Sequence, residues 1–88
     1  MDTLPHKRSW DKKDKCWWFS VDSDGNRKVL LNIHGYIAGI DKHTIDPDGT
    51  VHPSVLVQTS ENGKPKEIYH DFVKLDGYQE RGEKDNEQ

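Results

Sequence analysis

The chain of 88 residues has a single cysteine, no long apolar run and no segment in which apolar residues recur at helical spacing. One cysteine, Cys16, cannot form a disulfide within the chain, and free cysteines are typical of a reducing compartment. Without a long apolar run or a charged-then-apolar leader, the sequence gives no support for membrane insertion or secretion. We therefore expect a cytoplasmic protein with no membrane partner.

Charge of one sign does not dominate either, because 13 basic and 16 acidic residues leave a formal net charge of −3. A general nucleic-acid binder needs a clustered basic face to neutralise phosphates. The sequence has one such cluster, in residues 1–15, where five Lys or Arg accompany three Asp and Trp10. Nucleic-acid binding through this basic N-terminal arm is therefore kept as a third alternative.

The two ends of the chain differ in composition from its middle. Residues 1–15 are predicted to form a flexible basic arm, and residues 78–88 a disordered acidic tail with almost nothing apolar. Residues 16–77 remain as one small β domain. A domain of this size buries about 60% of the surface of its unfolded chain, so its stability is expected to be marginal.

Segments that alternate aromatic or β-branched residues with polar ones predict strands. They are residues 16–21, 29–33, 36–40, 51–59 and 67–75. Asp-Ser-Asp-Gly-Asn at 22–26 and Glu-Asn-Gly-Lys-Pro at 61–65 are typical hairpin turns, whereas Gly35 is expected to bend a near-continuous strand. The fold class is therefore mainly β, a small antiparallel sheet of four to five strands curled into a partly open barrel.

Tryptophan carries the strongest indication of a binding role, because it is enriched at the energetic centres of interfaces. If Trp17 and Phe19 face the core, the alternation of a strand directs Trp18 outward. Trp10 lies in a polar segment and is a second candidate anchor. The predicted surface for a protein partner comprises Trp10, Trp18 and Tyr36 together with Asp46 and Asp48 of the Asp-Pro-Asp-Gly turn.

Histidines offer a second interpretation. His34, His43 and His52 are nine residues apart, and His70 is eighteen further on. If each lies near a strand end, three of them could bind zinc. Structural zinc sites usually have closely spaced Cys or His pairs, which this sequence lacks. A zinc-binding β domain is therefore the alternative, and the main interpretation involves no cofactor.

Catalysis has little sequence support. His52 and Asp48 could approach Ser54, but no nucleophile-elbow motif or oxyanion-forming glycine pattern accompanies them. We therefore expect that the protein is not an enzyme.

Two segments carry a family resemblance: TIDPDGTVHPSVLV at residues 44–57 and YHDFVKLDG at residues 69–77. They resemble small uncharacterised proteins encoded by bacteriophages and prophages, in which an acidic-glycine turn precedes a Pro-Ser-hydrophobic strand. Members of that group often have cysteine pairs, which are absent here. The resemblance implies a phage or mobile-element setting, in which small proteins act by binding host components, and it implies no reaction.

These observations together predict a non-enzymatic binding or regulatory module that acts through a protein partner. An edge strand near Pro53, or the last strand, could also pair with a second copy of the chain, so a homodimer stays open.

Overall fold

Nine short strands make up the fold in the computed structural model, which describes residues 1–40 and 42–78. They are β1 (Asp2–Leu4), β2 (Lys15–Val21), β3 (Arg27–Ile33), β4 (Tyr36–Gly39), β5 (Thr44–Ile45), β6 (Val51–His52), β7 (Val55–Glu61), β8 (Lys64–Asp71) and β9 (Val73–Leu75). The prediction of a mainly β protein is confirmed. No helix in the described residues is long and apolar enough to cross a membrane.

The largest sheet contains β2, β3 and β4 in antiparallel order. Asp22 begins the β2–β3 turn, and its carboxylate accepts hydrogen bonds from the backbone N–H groups of Asp24 and Asn26, each at 2.9 Å. Between β3 and β4 the structure differs from the predicted bend. His34 and Gly35 both have positive φ values, 53° and 90°, which is the backbone of a two-residue hairpin turn, so β4 folds back along β3.

The β7–β8 hairpin turns at Asn62 and Gly63, as the Asn-Gly pair predicts. Its register shifts between Val57 and Gln58, where β8 contains one extra residue. This bulge lets the consecutive residues Ile68 and Tyr69 both pack against the core, which regular alternation would not allow.

The N-terminal segment differs from the predicted flexible arm. Strand β1 pairs in parallel with β9, with Leu4 opposite Leu75, and Leu4 is fully buried. Because Lys74 also forms a bridge with Thr50, β9 has neighbours on both sides. Strand β8, which forms most of the predicted last strand, is paired only with β7 among the described residues, so pairing with a second copy stays a prediction. In the predicted acidic tail, only Tyr78 belongs to the described residues.

The core lies between these sheets and is centred on Trp17. The Trp17 indole N–H donates a hydrogen bond of 2.9 Å to the carbonyl oxygen of Asp76. The His6 ring stacks on the indole with ring centroids 4.3 Å apart, and the Phe19 ring meets it edge-on at 5.1 Å. The other members of the buried cluster are Leu4, Val29, Leu31, Ile33, Ile40, Val51, Val55, Val57, Val73 and Leu75.

Asp2 joins three strands in a partly buried polar cluster. Its carboxylate accepts hydrogen bonds from the Lys15 ammonium at 2.6 Å and from the Tyr69 hydroxyl at 2.9 Å. Burial raises the pKa of Asp2, but the bonds from Lys15 and Tyr69 and the charge of Lys15 outweigh it and hold the pKa below its usual value. For Tyr69, burial and the Asp2 carboxylate both raise the pKa.

The Asp-Pro-Asp-Gly turn is fixed to β9 through Gly49. The N–H of Gly49 donates to Asp46, and its carbonyl oxygen accepts from the N–H of Leu75, both at 2.8 Å. Gly49 has a φ of 96°, and a side chain there would overlap the carbonyl oxygen of Leu75. The position therefore requires glycine for both its backbone conformation and its close contact.

Replacing Gly49 with alanine is expected to lower the free energy of unfolding by about 3 kcal/mol, since a left-handed backbone and overpacking each contribute one to a few kcal/mol. Gly25→Ala is the matched control, because Gly25 has a φ of 81° but a Cβ there would meet no described atom within 4 Å. The free energy of unfolding of Gly25→Ala, measured by urea unfolding, should fall by only about 1 kcal/mol. Equal losses for the two variants would show that the contact with Leu75 is unimportant.

The Asp2 cluster predicts a defined pH dependence. Because the pKa of Asp2 is lower in the folded chain, ionised Asp2 stabilises the fold above the unfolded value of about 3.9, and this contribution is lost as the pH falls through the folded value. Asp2→Asn should lower the free energy of unfolding at pH 7 by about 1 to 3 kcal/mol. The difference in free energy of unfolding between Asp2→Asn and the wild type should shrink as the pH falls into the acid range. Asp24→Asn, at an exposed position, serves as the control. A difference that does not vary with pH would contradict this account.

Candidate functional site

The outer face of the β2–β3–β4 sheet carries a group of apolar side chains, here called the Trp10 surface: Trp10, Trp18, Leu30 and Ile37. Register places Trp18 opposite Leu30 and places Ile37 on the same face. Trp18 points outward, as the alternation predicts, but is only 4% exposed because the Trp10 ring covers it with centroids 5.4 Å apart. Trp10 itself is 61% exposed.

The segment that carries Trp10 is tied to the sheet by a buried amide. Asn32, which is fully buried, donates from Nδ2 to the carbonyl oxygen of Asp11 at 3.0 Å, and its Oδ1 accepts from the N–H of Gly35 at 2.7 Å. On the other side of Trp10, the Ser9 hydroxyl donates to the Asp14 carboxylate at 2.6 Å. These bonds on both sides fix the backbone around Trp10.

The remaining predicted partner-binding residues lie elsewhere. Tyr36 is opposite Ile33 in the β3–β4 register, so it belongs to the other face of the sheet. Asp46 accepts a hydrogen bond from His52 at 2.9 Å, and Asp48 accepts one from the N–H of Thr50, also at 2.9 Å. The bonds from Thr50 hold the pKa of Asp48 below its usual value. Both carboxylates thus stabilise their own turn.

The four histidines do not assemble into the predicted zinc site. His34 is exposed in the β3–β4 turn, and His52 is bonded to Asp46. His43 and His70 both contact Ser54, one at its carbonyl oxygen and the other at its hydroxyl. No group of three potential metal ligands forms among the residues that the structure describes.

Ser54 has a different set of neighbours from those that we predicted. Its hydroxyl lies 2.9 Å from Nε2 of His70, and Nδ1 of His70 lies 3.5 Å from a carboxylate oxygen of Glu67. His52 and Asp48 do not take part, because the β7–β8 pairing brings His70 across to Ser54. The sequence contains a weak sign of this arrangement in Glu67 and His70, three residues apart.

Cys16 is buried beneath the segment that carries Trp10, and its thiol contacts the carbonyl oxygen of Ser9 at 4.0 Å. Burial raises the pKa of the Cys16 thiol. Because the thiolate is the reactive form, Cys16 is a packing residue rather than a nucleophile at neutral pH.

An open groove of about 570 Å³ that sequence reasoning missed lies beside the aromatic rings of Phe19 and Tyr78. Arg27 borders it, with its guanidinium 5.7 Å from the Phe19 ring centroid. Asp22 and Lys28 also line this groove, so its wall combines aromatic side chains with charges of both signs.

Trp10 and Trp18, whose rings meet at an angle of 55°, should respond differently to truncation. Trp18→Ala should lower the free energy of unfolding by about 3 to 5 kcal/mol, because it empties a buried site. Trp10→Ala should lower it by about 1 kcal/mol, mainly through the lost ring contact. Urea unfolding followed by circular dichroism measures both. If Trp10→Ala lowered the free energy of unfolding as much as Trp18→Ala does, Trp10 would be a core residue.

Comparisons with protein families, with curated proteins and with solved structures gave no match.

Proposed function

We propose that the protein is a cytoplasmic binding module that engages a protein partner through the Trp10 surface. The observation that carries the proposal is an exposed indole held in a defined position over a buried one. Most exposed side chains lose conformational entropy when a partner binds, but an anchor that is already fixed loses less. Binding at this surface requires no chemical step.

The neighbourhood of Trp10 indicates the chemistry of the partner. Ile37 is 43% exposed, and Leu30 is half-buried beside Gly39, which has no side chain. An apolar side chain of a partner could therefore lie next to the indole. Near Trp10 in the sequence, Arg8, Lys12 and Lys13 are exposed and positively charged, and Asp11 is the one exposed acidic residue among them. We infer that the partner presents an apolar group surrounded by acidic residues, because complementary charges favour encounter and fix register.

The resemblance of residues 44–57 and 69–77 to small phage and prophage proteins gives this proposal a setting. A protein of that origin would bind a component of a bacterial host. The same surface also gives specific support to one alternative, since an exposed indole beside cations can stack on a base of single-stranded nucleic acid.

Capture from a bacterial lysate by the immobilised full-length chain tests the proposal. Trp10→Ala and Ile37→Ser should each reduce capture of a specific protein at least about tenfold, as expected for anchors at the centre of an interface. Phe72→Ala is the matched control, because Phe72 is 49% exposed but lies outside the Trp10 surface, and it should capture as the wild type does.

Nuclease treatment of the lysate separates the two classes of partner. Capture that survives nuclease and depends on Trp10 supports a protein partner. Capture that disappears with nuclease supports nucleic acid instead, and capture that Phe72→Ala weakens as much as Trp10→Ala would overturn the assignment of this surface.

A further inference from the structure

A hydroxyl, an imidazole and a carboxylate follow one another on the outer side of the β7–β8 hairpin. Ser54 directly precedes β7, and its Oγ lies 2.9 Å from Nε2 of His70 in β8. Nδ1 of the same ring lies 3.5 Å from Oε1 of Glu67. A nucleophile within hydrogen-bond reach of a base, which a third group in turn orients, is the general arrangement of an activated serine.

The Glu67 carboxylate influences which nitrogen of the His70 ring carries the proton. Nδ1 of His70 lies 3.5 Å from the Glu67 carboxylate, which is an ion-pair distance rather than a hydrogen bond. A carboxylate on this side of the ring favours the tautomer with its proton on Nδ1, which leaves Nε2 unprotonated. Nε2 then accepts the hydrogen bond from the Ser54 hydroxyl and is placed to remove its proton. Glu67 is accordingly a positioning residue in this arrangement.

The backbone of Ser54 is held separately from its side chain. Nε2 of His43 lies 3.3 Å from the carbonyl oxygen of Ser54 and donates to it when protonated. The next residue, Val55, is the first of β7 and pairs with Asp71 of β8. The hydroxyl is therefore presented from a residue with a fixed main chain.

Two exposed apolar side chains flank this group. Leu56 is opposite His70 in the register, and Phe72 lies between β8 and β9, directly after the last residue of β8. They are 46% and 49% exposed, although most of the hairpin surface is polar. The apolar part of a small ester could lie on these side chains while its carbonyl carbon approaches Ser54.

We propose that Ser54 is a nucleophile that accepts acyl groups from small apolar esters, with His70 as its general base. Oγ of Ser54 forms a bond to the carbonyl carbon, while the C=O π bond breaks and leaves its electron pair on the carbonyl oxygen as an oxyanion. The Ser54 proton passes to Nε2 of His70. The C=O bond re-forms as the bond from that carbon to the leaving oxygen breaks, and the His70 proton goes to the departing alkoxide. Water, deprotonated by His70, later cleaves the acyl-serine and restores the hydroxyl.

The test uses the full-length chain and 4-nitrophenyl acetate, with 4-nitrophenolate release and peptide mass spectrometry as readouts. We expect an acetyl group on the peptide that contains Ser54. Ser54→Ala should remove this adduct, and His70→Ala should slow nitrophenolate release at least about tenfold, as expected when a general base is lost. Thermal midpoints of the variants establish that each is folded.

His52→Ala is the matched control. His52 is also an exposed histidine with a carboxylate partner, Asp46 at 2.9 Å, but no serine hydroxyl is bonded to it in the described structure. If imidazole alone catalysed the reaction, the loss of His52 would slow it as much as the loss of His70. We expect His52→Ala to react at the wild-type rate.

The role of Glu67 has its own readout. Nitrogen-15 spectra of the His70 ring should show the Nδ1-protonated tautomer in the wild type and a mixture in Glu67→Ala, together with slower acylation. A residue that only supported the hairpin would change the thermal midpoint without changing the tautomer.

Three results would overturn the proposal. One is an acetyl group found on lysines or the N-terminal amine but not on Ser54. Another is nitrophenolate release at the wild-type rate in Ser54→Ala, and the third is an unchanged rate in His70→Ala. The Ser54 group lies on the β7–β8 hairpin and the Trp10 surface on the β2–β3–β4 sheet, so the two proposals can fail independently.

Discussion

The fully buried indole of Trp17 is the contact on which the other elements depend. The backbone of Trp17 pairs with β3 on one side and forms a bridge with His6 on the other. Its indole N–H is bonded to Asp76 beyond β9, and its ring is covered by His6. One side chain thus joins the N-terminal segment, the three-stranded sheet and the end of the last strand. In a domain of this size, where burial is limited, such a shared contact determines whether separate short strands form one fold.

The position of Trp10 follows from that arrangement. Because residues 2–6 are paired with β9 and β2, the chain that follows them crosses the outer face of the sheet, where Asn32 holds it. Arg8, Lys12 and Lys13, which are exposed, therefore belong to a segment that is attached to the sheet. The contacts that display Trp10 also bury Trp18 and Cys16, so the proposed binding surface depends on the same contacts as the fold.

Local chemistry predicted the β2–β3 and β7–β8 hairpins, because Asp-Gly and Asn-Gly pairs favour the backbone of tight turns. The His34–Gly35 turn was missed since histidine adopts a positive φ less often than asparagine. The β1–β9 pairing was missed because only Leu4 marks a strand in a polar segment, and its partner is distant in sequence. No residue pattern in the sequence predicts the bulge opposite Val57 and Gln58, yet this bulge shifts the β7–β8 register by one residue. Without it His70 would face the core rather than Ser54.

Backbone relaxation by NMR tests the central claim most directly, which is that the N-terminal segment belongs to the fold and holds Trp10 over Trp18. We expect nitrogen-15 order parameters of about 0.85 for residues 2–14, equal to those of β2 and β3, with cross-peaks between the two indole rings. Order parameters below about 0.6 in that segment, without such cross-peaks, would contradict it.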